Sequence, residues 1–230
     1  MKVKVAIKRE QSQACLSSAE REQAQRESSF LVKVCGMREA DNICEVERLG
    51  IDMMGLIFWP RSSRYVSEKP DYLPIYCKRV GVFVDEDIEL VKRTADEYQL
   101  DMIQLHGHER PDYIRQLNGW KVIKAFNIAT AADFALTEAY KGVADIFLFD
   151  TKGKSVGGNG EKFDWSVLSE YRGETPFLLS GGIGPDDAER VNKFWHKRCI
   201  GIDLNSRFET APGFKDIMAL RRFLKNVKMT

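Results

Sequence analysis

The chain has 230 residues, 43% hydrophobic and 30% charged, which suits one soluble globular domain with a sizeable core. Its 35 basic and 34 acidic residues nearly cancel to a formal net charge of +1, so composition gives no reason to expect nucleic acid or an anionic membrane as partner. No apolar stretch approaches the roughly 20 residues needed to cross a bilayer.

Met1 to Glu10 alternates Lys and Val without the apolar block or small-residue cleavage site of a signal peptide. Residues 9–29 are rich in Gln, Glu, Arg and Ser and hold almost no large apolar side chains, too few to offset the entropy of ordering. Residues 1–30 are therefore expected to be a polar extension, disordered or loosely helical, ahead of one domain at 31–230. From there short apolar runs recur: 31–35, 51–57, 79–84, 101–105, 121–126, 145–150, 176–180 and 199–204. Most are β-branched or aromatic, as buried parallel strands tend to be. Helical spacing appears between them, as in Ile88, Val91, Ala95 and Tyr98, and again in Phe214, Ile217, Met218, Leu220 and Leu224. After the second run, Pro70 and Pro74 allow only a short or broken helix.

Eight strands alternating with helices predict an α/β fold, a single-domain (β/α)8 TIM barrel. An open doubly wound sheet is the alternative, but its usual GxGxxG turn after strand one is missing. In such barrels catalytic groups stand at the C-terminal ends of strands. Strand one ends on Cys35 and strand six on Asp150, a thiol and a carboxyl that can run a proton-transfer isomerisation without a cofactor. Each also has a structural reading: Cys35 as a small buried hydrophobe, Asp150 as a loop cap. The five cysteines (15, 35, 44, 77 and 199) are scattered, without CxxC or Cys/His ligand spacing. That argues against a disulfide framework or zinc site and for a reduced, cytoplasmic enzyme.

Phosphate is expected on the loops after strands seven and eight, as is frequent in this fold. Gly181 and Gly182 let backbone N–H groups approach an oxyanion closely, and Asn205, Ser206 and Arg207 can open a short helix facing the same ion. Gly157, Gly158 and Gly160 mark either a mobile lid over a small substrate or an ordinary surface loop.

The segments KVCGM (33–37), GLIFWPRSSRYVS (55–67), GVFVDE (81–86), QLHGHE (104–109), FLFDTKGKSVGGNGEKFDW (147–165), SGGIGPDDA (180–188) and GIDLNSRFETAPGFKD (201–216) carry a resemblance. In this order and spacing the chain resembles phosphoribosylanthranilate isomerase, the tryptophan-pathway enzyme, across residues 31–230. The resemblance implies an Amadori rearrangement of N-(5-phosphoribosyl)anthranilate to its 1-deoxyribulose phosphate derivative. It implies Cys35 as the base for the proton on sugar C2 and Asp150 as the acid for the ring oxygen. An acid active near neutral pH needs a pKa well above ~3.9, and a thiol base needs nearby positive charge to bring its own pKa down from about 8.5. Arg64 matches the arginine that meets the anthranilate end, a fork suited to a carboxylate, with Arg61 the weaker candidate. His106 is given a supporting role in positioning. Asp203 matches an acidic position, structural or orienting. Arg207 departs from the family's usual small residue, and GGNG replaces GGTG or GGSG.

No metal or cofactor is called for. The expected partner is a small phosphorylated sugar, and the expected state a monomer. Related histidine-pathway isomerases pair two aspartates, one at the end of strand one, where this chain has Cys35. A silent phosphate-sugar binding module on the same scaffold is a further reading. So is an N-terminal arm that docks a partner enzyme.

Overall fold

The structure, a computed structural model, describes residues 30–151 and 165–227. The extension at 1–29 and the proposed lid glycines Gly157, Gly158 and Gly160 lie outside the described residues.

Eight parallel strands close into a barrel in sequence order. They are β1 (Leu31–Cys35), β2 (Met53–Ile57), β3 (Lys78–Phe83), β4 (Met102–Leu105), β5 (Lys121–Ile128), β6 (Ile146–Thr151), β7 (Phe177–Ser180) and β8 (Cys199–Leu204). Each matches an apolar run of the sequence within a few residues. Alternation sets the layers. Val32 and Val34 of β1 face the helix layer in the main core, whereas Met53, Val80, Met102, Ile123, Leu148 and Leu178 fill the barrel itself. The interior is thus a packed plug, not a pore.

Helices α1 (Ala40–Glu47), α2 (Ile88–Glu97), α3 (Pro111–Ile114), α4 (Ala188–Lys193) and α5 (Ile217–Asn226) surround it, with 3₁₀ segments at Ala131–Tyr140 and Trp165–Glu170. Local chemistry sets their starts. The Asp87 carboxylate accepts from the N–H groups of Glu89 and Leu90, and Asp216 from Ala219, satisfying donors with no partner inside the helix. Thr130 and Asp133 form a capping box.

The last helix begins three residues later than its apolar spacing predicts. Phe214–Lys215 instead pairs antiparallel with Glu209–Ala211, as a two-stranded hairpin β9/β10, and Asp216 then caps α5.

After β2 there is no helix, in keeping with Pro70 and Pro74. Glu47, at the end of α1, holds this segment instead. Its Oε1 accepts from the N–H groups of Ile75 (2.6 Å), Tyr76 and Cys77 (3.1 Å), and its Oε2 from the Tyr72 hydroxyl. Burial opposes ionisation of this carboxyl. The hydrogen bonds from Tyr72 and the three N–H groups outweigh burial and hold it below the usual carboxylate range. Glu47→Gln is expected to cost about 2 kcal/mol at pH 7, from the loss of charge-assisted hydrogen bonds. Because the folded-state pKa is depressed, the wild-type advantage is present above the unfolded value and fades as pH falls through the folded one. Denaturant titrations of both proteins at pH 7 and pH 3 check this: equal gaps at the two pH values count against it.

Candidate active site

A cavity of about 230 Å³ opens at the C-terminal ends of the strands, lined by Cys35, Gln104, His106, Asp150, Ser180 and Asp203, with Gly181, Gly182, Asn205, Ser206 and Arg207 at one side. It thus brings together nine of the residues singled out in the sequence, from β1, β4, β6, β7 and β8.

Cys35 ends β1 on the inward register, opposite Gly55 of β2. A Cβ on Gly55 would stand 2.6 Å from the Cys35 sulfur, so the glycine leaves the space the thiol occupies. Two residues earlier on the same face, Lys33 is fully buried and its ammonium donates to Asp203 Oδ1 at 2.8 Å. The second oxygen of Asp203 accepts from the Ser180 hydroxyl at 3.3 Å. Asp203 therefore ties β1, β7 and β8 together in the wall of the cavity.

Burial pushes the Cys35 thiol up. The Lys33 and Lys215 ammoniums pull it back, Asp203 adds to the rise, and the net direction is upward. The positive charge that a thiol base needs is present, but desolvation prevails over it. Lys33 itself stays protonated: burial disfavours its charge, and the neighbouring Asp203 more than restores it.

The side-chain amide of Gln104, on β4, is hydrogen-bonded to His106 Nδ1 at 3.2 Å. His106 Nε2 stands 3.8 Å from Asp150 Oδ2. Burial lowers the His106 pKa against the pull of Asp150 and Asp203, with Lys33 and Lys124 lowering it further, so the imidazole is neutral near pH 7. A neutral ring beside Asp150 suits positioning.

Gly181 and Gly182 follow β7 with φ of +87° and +68°, conformations that glycine reaches without strain. The buried Trp165 donates its indole N–H to the Gly181 carbonyl at 3.3 Å, and the Arg190 guanidinium lies 3.8 Å above its ring. Asn205 precedes a 3₁₀ turn at Ser206–Phe208. The exposed Arg207 packs its stem over Gly184 while lining the cavity.

Arg64 does not line the cavity. Its guanidinium is taken by Glu209, with Nε to Oε1 at 2.8 Å and Nη2 to Oε2 at 2.6 Å, and Lys215 donates to the same carboxylate at 2.6 Å. Lys215 also reaches Asn205 Oδ1 at 2.9 Å. The carboxylate this fork meets is thus the protein's own. Arg64 still borders the site: a Cβ on Gly36, next to Cys35, would meet Arg64 Cδ at 2.6 Å and Asn205 Oδ1 at 2.8 Å.

Sequence reasoning passed over Lys33, Gln104, Ser180, Glu209 and Lys215. The signal for Lys33 and Gln104 was a long polar side chain inside an apolar strand, two residues before a chemical group on the same face.

Fold and mouth together define a class: a (β/α)8 barrel with a thiol, an imidazole and two carboxyls converging on one cavity. The family model for N-(5'-phosphoribosyl)anthranilate (PRA) isomerase matches residues 32–226. The N-(5'-phosphoribosyl)anthranilate isomerase of Phocaeicola vulgatus is 50% identical over 201 residues, covering 86% of this chain and 98% of that one. The crystal structure of phosphoribosyl anthranilate isomerase from Thermotoga maritima superposes with a TM-score of 0.73 at 32% identity, over 86% of this chain and 98% of the other. A second solved phosphoribosyl anthranilate isomerase, in complex with reduced 1-(o-carboxyphenylamino)-1-deoxyribulose 5-phosphate, gives 0.71 at 30% identity over the same shares. The chain belongs to the N-(5'-phosphoribosyl)anthranilate isomerase family.

Proposed function

We propose that this chain catalyses the Amadori rearrangement of N-(5'-phosphoribosyl)anthranilate to 1-(2-carboxyphenylamino)-1-deoxyribulose 5-phosphate, a step of tryptophan biosynthesis. The observation that carries the site assignment is the convergence of Cys35, His106 and Asp150 on one cavity, with the Gly181–Gly182 turn and Asn205–Arg207 on the strand ends between Asp150 and Cys35. Asp150 gives a proton to the furanose ring oxygen as the C1–O bond breaks, leaving a Schiff base between C1 and the aryl nitrogen. The Cys35 thiolate then removes the proton on C2, and the electron pair moves to form the enamine, which tautomerises to the ketose. Gly181, Gly182, Asn205 and Ser206 offer N–H groups to the phosphate, and Arg207 adds a positive charge beside it. Arg64, its fork held by Glu209, borders the site beside Gly36 and adds positive charge toward the aryl carboxylate without meeting it directly. His106 orients the carboxyl of Asp150, and Asp203 fixes the Lys33 ammonium below the thiol.

The test is the decay of anthranilate-type fluorescence when freshly made phosphoribosylanthranilate meets the wild-type chain. A rapid, enzyme-dependent loss is expected. A folded barrel without turnover would overturn the assignment and bring forward the phosphoribosyl aminoimidazole substrate or a silent binding module.

A further inference from the structure

Behind the strand that ends in His106 stands a buried ion pair that the cavity does not use. Lys124 of β5 and Glu109, just after β4, are 3% and 2% exposed, with Nζ and Oε2 3.2 Å apart, and neither lines the cavity. The ammonium donates to the carbonyls of Leu105 at 3.2 Å and Gly107 at 2.7 Å, the residues on either side of His106. Glu109 accepts from the Gly107 N–H at 3.2 Å and 3.1 Å, and from the Asp85 N–H at 2.9 Å. The His106 N–H itself donates to the Phe83 carbonyl at 2.9 Å, and the His108 N–H to Asp85 Oδ1. The carbonyls of Leu105 and Gly107 and the N–H groups of His106, Gly107 and His108 are thus tied down, and the Lys124–Glu109 pair makes three of these five ties.

Packing alone gives little reason for this arrangement. A buried ion pair is often no more stabilising than well-packed apolar residues of the same volume, and its best attested use is to fix one geometry. Here the geometry fixed is a strand end whose imidazole faces Asp150 at 3.8 Å.

We propose that Lys124, set by Glu109, is a positioning residue for the reaction: it holds the peptide frame around His106 so that the imidazole Nε2 stays turned on Asp150. The kinetic part of this inference rests on the isomerase reading; the geometric part does not. Burial works against the Lys124 charge and Glu109 restores part of it, as expected for a cation kept in place by its partner.

The test compares wild type with Lys124→Met and with the double variant Lys124→Met/Glu109→Gln, which removes both charges and so spares the fold an unpaired buried carboxylate. For folded protein, kcat is expected to fall about tenfold to a hundredfold with KM changed less than threefold, the size of effect a misplaced group produces. Nitrogen-15 spectra give the second readout, because the chain has three histidines. The ring-nitrogen signals of His106 are expected to shift from their wild-type positions in both variants. His196, bonded to the Tyr171 carbonyl and the Arg198 N–H, is expected to stay as it is. An unmoved His106 spectrum in a folded variant, or an unchanged kcat, overturns the proposal. If the wild type does not turn over phosphoribosylanthranilate, the isomerase reading falls, and the His106 spectrum alone still decides whether the pair sets the ring.

Discussion

Cys35→Ser is expected to lower kcat by about 10³-fold, within the range general acid–base groups contribute. The serine hydroxyl is nearly isosteric and fits the space beside Gly55, so the cavity survives. What is lost is acidity. A thiol can give a useful fraction of its anion within reach of neutral pH, and an aliphatic hydroxyl cannot. The pH profile carries the sharper test. The active form of the base is the thiolate, and burial in the barrel pushes the Cys35 thiol up. At pH 7 the free enzyme therefore holds little thiolate, and each unit by which pH rises toward the pKa multiplies it about tenfold. Wild-type kcat/KM is expected to climb with unit slope from below neutrality to above pH 8 and to level only where the thiol ionises. The groups that set this limb are Lys33, Asp203 and Lys215. The serine variant should lack it. A wild-type profile already flat from pH 6 to 8 would remove Cys35 as the base.

Asp150→Asn is expected to cost about 10²- to 10⁴-fold in kcat with KM changed by no more than about threefold, since the amide keeps the volume of the carboxyl and loses its proton. Asp150 pairs with Ser180 in the β6–β7 register and faces His106 across 3.8 Å. Neither neighbour replaces it. The Ser180 hydroxyl is engaged with Asp203, and burial lowers the pKa of the imidazole. Single-turnover measurements separate the chemical step from product release and so read the loss directly. An asparagine variant retaining more than a tenth of the wild-type rate would transfer the acid role to another donor.

The barrel was legible because its strands are short apolar runs separated by polar turns, and this pattern survives without knowledge of any contact. Cys35 and Asp150 were legible for a related reason: each is a reactive side chain ending such a run. The partners that hold these residues in place were not. Lys33 reads as a surface charge until Asp203, 170 residues later, is placed opposite it by closure of β1 on β8. Glu209 reads as an ordinary acid until a hairpin carries it onto Arg64, 145 residues away. The fork of Arg64 was matched to a substrate carboxylate because chemistry identifies the kind of partner a guanidinium wants, not which one reaches it first. The thiol shows the same limit in energetic terms: the sequence supplies the lysines, but only the fold sets how much water is withdrawn from the sulfur. The 3₁₀ segments after β5 and β6 carried too little periodicity to be read at all.

The Glu47 carboxylate and the Cys35 cavity lie at opposite ends of the barrel: one grips the chain entering β3, the other opens where β1 ends. Sites that far apart, with no partner in common, contribute to free energy almost independently. This molecule can therefore be hardened against heat or denaturant at its lower rim without retuning its chemistry. The upper rim can in turn accumulate changes in substrate preference while the lower rim absorbs their cost in stability. A barrel divided in this way has room to evolve.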